Sequence, residues 1–68
     1  MKIIGKECSE YGRGYDVYKV IVNDWKNTEE QNDAILLYCD SNCFGGRVWL
    51  DRFLHNGDML LEVKVYTD

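Results

Sequence analysis

A chain of 68 residues has room for one domain, and a domain this small buries only about 60% of the surface its unfolded chain exposes. Its apolar share of 46% and charged share of 29% exclude a disordered polyelectrolyte, and its net charge of −4 disfavours nucleic-acid phosphates as partners. A deep, enclosed substrate pocket does not fit beside so small a core, whereas a shallow surface site or one shared between subunits does.

The chain starts at Met1 and reads as a whole protein. Met1 to Glu7 lacks the apolar stretch of a signal peptide. The longest apolar run, Ala34 to Cys39, is far too short to span a bilayer. A cytoplasmic location without membrane contact is expected.

In chain order, Lys2 to Cys8 reads as a weak first strand. Tyr11-Gly12-Arg13-Gly14 is a turn, because glycine reaches the backbone angles turns demand. Tyr15 to Val22 is rich in β-branched and aromatic residues and reads as a second strand. Thr28 and Gln31 have the spacing of a helix N-cap and capping box. The run Ala34 to Cys39 lacks helical spacing, however, and reads as a strand preceded by one helical turn. One helix over 29–39 is the competing assignment. Asp40 to Gly46 is a loop.

Arg47 to Leu54 and Met59 to Tyr66 flank His55-Asn56-Gly57-Asp58. Asn-Gly favours a two-residue turn with positive φ at both central positions. That register sets Leu54 against Met59, Arg52 against Leu61, Leu50 against Val63 and Val48 against Val65, on the core face. The other face then carries Trp49 with Lys64, Asp51 with Glu62, Phe53 with Leu60 and Arg47 with Tyr66. The fold expected is mostly β: a small antiparallel meander, or an SH3-like or OB-like barrel, of about five strands with room for one short helix. The alternative is an α+β chain of ββαββ order.

The cysteines Cys8, Cys39 and Cys43 are odd in number, which argues against a disulfide framework. Cys39 and Cys43 could close a small loop under oxidation. Cys8, Cys39, Cys43 and His55 are a conceivable zinc set, but C-x3-C without a second pair is a loose signal, so no metal and no cofactor are expected. His55 is the one histidine and sits in a turn. Ser9 and Ser41 lie in no nucleophile motif. Gly12-Arg13-Gly14 and Gly45-Gly46-Arg47 match no phosphate loop. No catalytic residue is assigned, and the chain is not expected to be an enzyme.

Two binding readings remain. Trp49, Phe53, Leu60 and Tyr66, framed by Arg47, Asp51, Glu62 and Lys64, form an aromatic β-face rimmed by charge. Trp, Tyr and Arg dominate protein-binding hot spots. The leading expectation is therefore a non-enzymatic protein-binding module with a protein partner as yet unidentified, a homodimer being one form of partnership. Its size and stand-alone length suit an inhibitor or accessory protein of a phage or mobile element. The alternative is a small β-barrel for single-stranded nucleic acid, using Tyr11, Arg13, Tyr15, Tyr18, Trp49 and Phe53 as a stacking platform. The acidic balance opposes it. The structural account of the Trp49, Phe53, Leu60 and Tyr66 face is burial, under residues 23–33 with Trp25 or, in a barrel, under a neighbouring strand.

Overall fold

The computed structural model describes residues 1–41 and 45–67. Its elements are β1 (Lys2–Tyr11), β2 (Tyr15–Asn23), α1 (Glu29–Tyr38), β3 (Gly46–Phe53) and β4 (Met59–Tyr66). One sheet holds all four strands in the order β1-β2-β4-β3, with every neighbouring pair antiparallel. β2 and β3 therefore run parallel, joined through α1, with β4 inserted between them. The expectation of a mostly β chain with one short helix is met. The sheet is open, not a closed barrel, and it has four strands, not five. Residues 34–39 belong to the helix and its cap, as in the ββαββ alternative.

The helix forms where its ends are satisfied. The Thr28 hydroxyl accepts from the Gln31 N–H at 3.2 Å, which confirms the N-cap. The Gln31 side chain does not close the box on Thr28; it accepts from the Lys26 N–H at 2.7 Å. At the other end Asp40 takes a left-handed φ of 61°. Its N–H donates to the Leu37 carbonyl and that of Ser41 to the Leu36 carbonyl, both at 3.0 Å. This is a Schellman closure with aspartate where glycine is usual. The last turn has no basic residue of its own. Lys6 of β1 supplies the cation instead, its Nζ donating to the Tyr38 carbonyl at 3.0 Å.

One face of the sheet is the core face. Val20 and Val22 of β2, Leu61, Val63 and Val65 of β4, and Ile35 and Cys39 of α1 are buried together. Ile3, Tyr18, Trp25, Leu36, Val48 and Met59 pack around them. Ile35 and Cys39 lie one helical turn apart, so both point inward, while Leu37 stays 71% exposed. The apolar run is thus only partly buried, which is why its helical period was hidden. Trp25 belongs to this core, and its indole N–H donates to Asn32 Oδ1 at 2.9 Å. It does not cover the opposite face.

The C-terminal hairpin is present, but its loop has three residues, His55-Asn56-Gly57, not two. Leu54 N–H donates to the Asp58 carbonyl at 2.8 Å, and Gly57 N–H to the Leu54 carbonyl at 3.1 Å. Gly57 has a φ of 89°, and Asn56 is not among the residues of positive φ. Asn56 instead uses its side chain, Oδ1 accepting from the Asp58 N–H at 3.0 Å. A second irregularity, a β-bulge at Asp51, follows between Leu50 and Arg52. Each slips the register by one residue. Together they slide β3 by two, so Val48 and Leu50 keep the core face but meet Val63 and Leu61.

Candidate functional site

The sheet face away from α1 has no element over it among the described residues. It is built by cross-strand rows. Tyr15 pairs with Tyr66, Val17 with Lys64, Lys19 with Glu62 and Ile21 with Leu60 along β2 and β4. Arg47 pairs with Lys64, Trp49 with Glu62 and Arg52 with Leu60 along β3 and β4.

Its centre is a charge network spanning three strands. Lys19 Nζ lies 3.2 Å from Asp51 Oδ2 and 3.3 Å from Glu62 Oε2. Arg52 reaches Asp51 at 3.7 Å. Burial by itself would lower the Lys19 pKa, but its hydrogen bonds to the two carboxylates outweigh that and raise it. The bulge lets Asp51 reach this centre, since it adds a residue to β3 on the same side as Trp49.

One end of the face is cationic and aromatic. Lys64 Nζ sits 4.3 Å from the Tyr15 ring centroid and 5.6 Å from that of Tyr66. The Tyr15 ring in turn lies over Gly12, where a Cβ would come within 2.7 Å of the ring carbons. Gly12 thus gives the ring its seat. Arg47, Val48, Trp49, Lys64 and Tyr66 line a shallow depression of about 390 Å³. Among the described residues no carboxylate lies within ion-pair distance of Arg47 or Lys64. A second depression of about 250 Å³ lies over Gly5, Glu7, Lys19, Ile21 and Leu60.

Of the residues singled out from sequence, Trp49, Leu60, Tyr66, Arg47, Asp51 and Glu62 share this face. Phe53 does not. It pairs with Met59, whose side chain packs on the core, and so lies on the helix side, 67% exposed. The expected pairs Phe53–Leu60, Trp49–Lys64, Asp51–Glu62 and Arg47–Tyr66 are replaced by Phe53–Met59, Trp49–Glu62 and Arg47–Lys64, with Tyr66 bonding to the Gly45 carbonyl. The slip of register is the cause. The cation between Asp51 and Glu62 is Lys19 of β2, a residue the hairpin alone could not reveal. Alternation along β2, which puts Tyr15, Val17, Lys19 and Ile21 on one face, held that signal.

The stacking platform is divided as well. Tyr15 and Trp49 lie on the open face, while Tyr18 packs against the core and Tyr11 shares its side through the pair with Asp16. Cys39 is buried, and burial pushes its thiol up to about 11. Such a thiol is not a ready nucleophile. Cys8 is half-buried on the helix side, its thiol 3.6 Å from the Glu10 carbonyl. His55 is an exposed loop residue. Among the described residues no three His, Cys, Asp or Glu side chains gather as metal ligands. The suggested Cys39–Cys43 loop and the zinc set both involve Cys43, which lies outside the described residues. Among the described residues no helix is long and apolar enough to cross a membrane.

Comparison with family models, with curated proteins and with solved structures finds no match.

Proposed function

We propose that this chain is a non-enzymatic protein-binding module whose open sheet face receives an acidic, partly apolar segment of a partner protein. The observation that supports it is the depression at Arg47, Trp49, Lys64 and Tyr66. It sets two cations, neither within ion-pair distance of a described carboxylate, beside exposed aromatic surface. Elsewhere on the face the cations Lys19 and Arg52 are already engaged by Asp51 and Glu62. A partner carboxylate would bond Arg47 in its fork geometry, and an adjacent apolar side chain would cover Trp49. A small inhibitor or accessory protein could act in this way, by occupying a site on its target.

The test is selection from a random peptide library on the immobilised protein. Enriched peptides are expected to place Asp or Glu next to an apolar or aromatic residue. Arg47→Ala and Trp49→Ala should each weaken their binding at least about tenfold, the loss of one anchor worth roughly 1.4 kcal/mol or more. Neutral or basic consensus peptides, or binding indifferent to both substitutions, would refute the reading. A single-stranded oligonucleotide is the necessary competitor, because Tyr15, Trp49 and Tyr66 beside Arg47 and Lys64 also form a base-stacking surface. Binding to the oligonucleotide that is tighter than to any peptide and falls steeply with salt would replace the protein partner with nucleic acid.

A further inference from the structure

The sheet has two free edges, and they differ. β1 is interrupted by register shifts between Ile3 and Gly5 and between Cys8 and Glu10. Such bulges spoil an edge for further pairing. β3 is regular from Gly46 to Leu50, up to its bulge at Asp51. Tyr66 N–H donates to the Gly45 carbonyl at 3.0 Å. Gly45, Arg47 and Trp49 therefore turn their backbone groups toward β4. Gly46, Val48 and Leu50 turn theirs to the free edge. Trp49 and Leu50 are 39% and 37% exposed along it.

We propose that a second copy of this chain pairs along that edge, β3 against β3, antiparallel about a two-fold axis at Trp49. The sequence Arg47-Val48-Trp49-Leu50-Asp51 complements its own reverse. In this register Val48 meets Leu50 of the other copy, twice, and both residues have outward backbone groups free to exchange hydrogen bonds. Both also lie on the core side, so apolar meets apolar. On the open side Trp49 meets its symmetry mate at a non-hydrogen-bonded site, where side chains approach most closely. Arg47 meets Asp51 of the other copy, again twice, opposite in sign. Asp51 is available to it because the bulge points its carboxylate to the open face, where Lys19 already holds one oxygen at 3.2 Å.

Neighbouring registers lose these features. A two-fold axis at Val48 sets Arg47 against Trp49 and leaves Asp51 without a cation from the other copy. An axis at Leu50 sets Trp49 against Asp51 and Val48 against Arg52. Only the register at Trp49 satisfies backbone, apolar and charge patterns together. The product is a continuous eight-stranded sheet with the two Arg47–Trp49 depressions beside its centre.

Sedimentation velocity over a wide concentration range tests this. The wild type is expected to rise from 8.0 kDa toward twice that mass. Arg47→Glu and Asp51→Lys should each remain monomeric, because each puts like charges opposite one another across the axis. An equimolar mixture of the two variants should form a heterodimer, since both cross-axis contacts then join opposite charges. Leu50→Pro removes an outward N–H that no intramolecular bond uses, and should give a folded monomer by circular dichroism. A wild type that stays monomeric throughout overturns the proposal. So does a dimer that survives both Arg47→Glu and Leu50→Pro, or a failure of the folded charge variants to rescue each other.

Discussion

At Gly46 the sheet receives Leu36 of the helix. A Cβ built there would collide with the Lys64 carbonyl, lie 2.7 Å from Leu36 Cδ2 and 3.2 Å from Val65 Cα. Two of the three obstacles are backbone atoms of the central strand β4, which cannot step aside. Overpacking of this kind costs about 1–3 kcal/mol, and rigid obstacles put Gly46→Ala at about 3. Loss of glycine's freedom in the unfolded chain returns about 0.4–1 kcal/mol. The net expectation is a loss of about 2–2.5 kcal/mol. A domain of this length has roughly 3–10 kcal/mol in total, so the change removes a large share. Urea unfolding followed by tryptophan fluorescence should show the midpoint falling by about 2 M if m is about 1 kcal/mol/M. Gly5→Ala is the control, since nothing lies within 4 Å of its added Cβ. Adding Leu36→Ala to Gly46→Ala separates the two kinds of obstacle, because a penalty that persists lies with β4. A Gly46→Ala protein within about 0.5 kcal/mol of the wild type would show that β4 and Leu36 do not approach Gly46 as closely as described.

Thr28→Ala should cost about 1 kcal/mol, the usual loss of an N-cap, read from the same unfolding curves. Asp40→Gly should stabilise by about 0.5–1 kcal/mol, since glycine takes the left-handed angle without strain and the 3.8 Å ion pair to Lys6 is exposed. Cys39 has its proton held in the folded state to about pH 11, whereas an unfolded thiol loses it near 8.5. The unfolded chain thus binds fewer protons between those values, so stability should fall as pH rises from about 8.5 to 11. Cys39→Ala should flatten that part of the melting-temperature profile, and an unchanged profile would refute the cause. Lys19, also raised, contributes stability that is lost at still higher pH, and Lys19→Met should be destabilising by no more than about 1 kcal/mol because the network is partly solvated.

Much of this fold was legible in local patterns. β2 and β4 are legible because both are runs rich in valine and other large apolar residues, which suit central strands. Thr28 announced the helix start. What was hidden depends on tertiary contact. The run 34–39 carried no helical period, because Leu37 and Ala34 face outward while Ile35 and Cys39 alone are fully buried. Nothing local tells that Leu36 is received by Gly46 across the sheet. The hairpin was located but its register was not. Asn56-Gly57 permits two loop lengths, and Asn56 stabilises the longer one by bonding to Asp58 instead of taking a positive φ itself. Arg47, Trp49, Asp51, Leu60, Glu62 and Tyr66 share the open face, whereas Phe53 turns to the helix side because it lies between the loop and the bulge, where the register is offset by a single residue.

The two irregularities in the hairpin also explain the charge pattern that the simple register left unresolved. With a two-residue turn, Asp51 would stand directly opposite Glu62, like charge against like. The longer loop and the bulge move Trp49 into that place instead. Asp51 becomes the extra residue of the bulge, and Lys19 bridges it to Glu62 from the next strand but one. A repulsive pair within one hairpin is thereby converted into a network that ties β2, β4 and β3 together across the open face. The conversion has a consequence for recognition. With Lys19 shared between the two carboxylates of the centre, Arg47 and Lys64 at the end of the face are, within one copy, its cations without a described carboxylate at ion-pair distance. An overall acidic chain thus presents a locally cationic, aromatic patch. Lys19→Met should therefore weaken binding of an acidic peptide at that patch without touching it, because Asp51 and Glu62 would then draw on the field of Arg47 and Lys64. A peptide affinity unchanged in Lys19→Met, with Arg47→Ala still damaging, would show that the two ends of the face act independently.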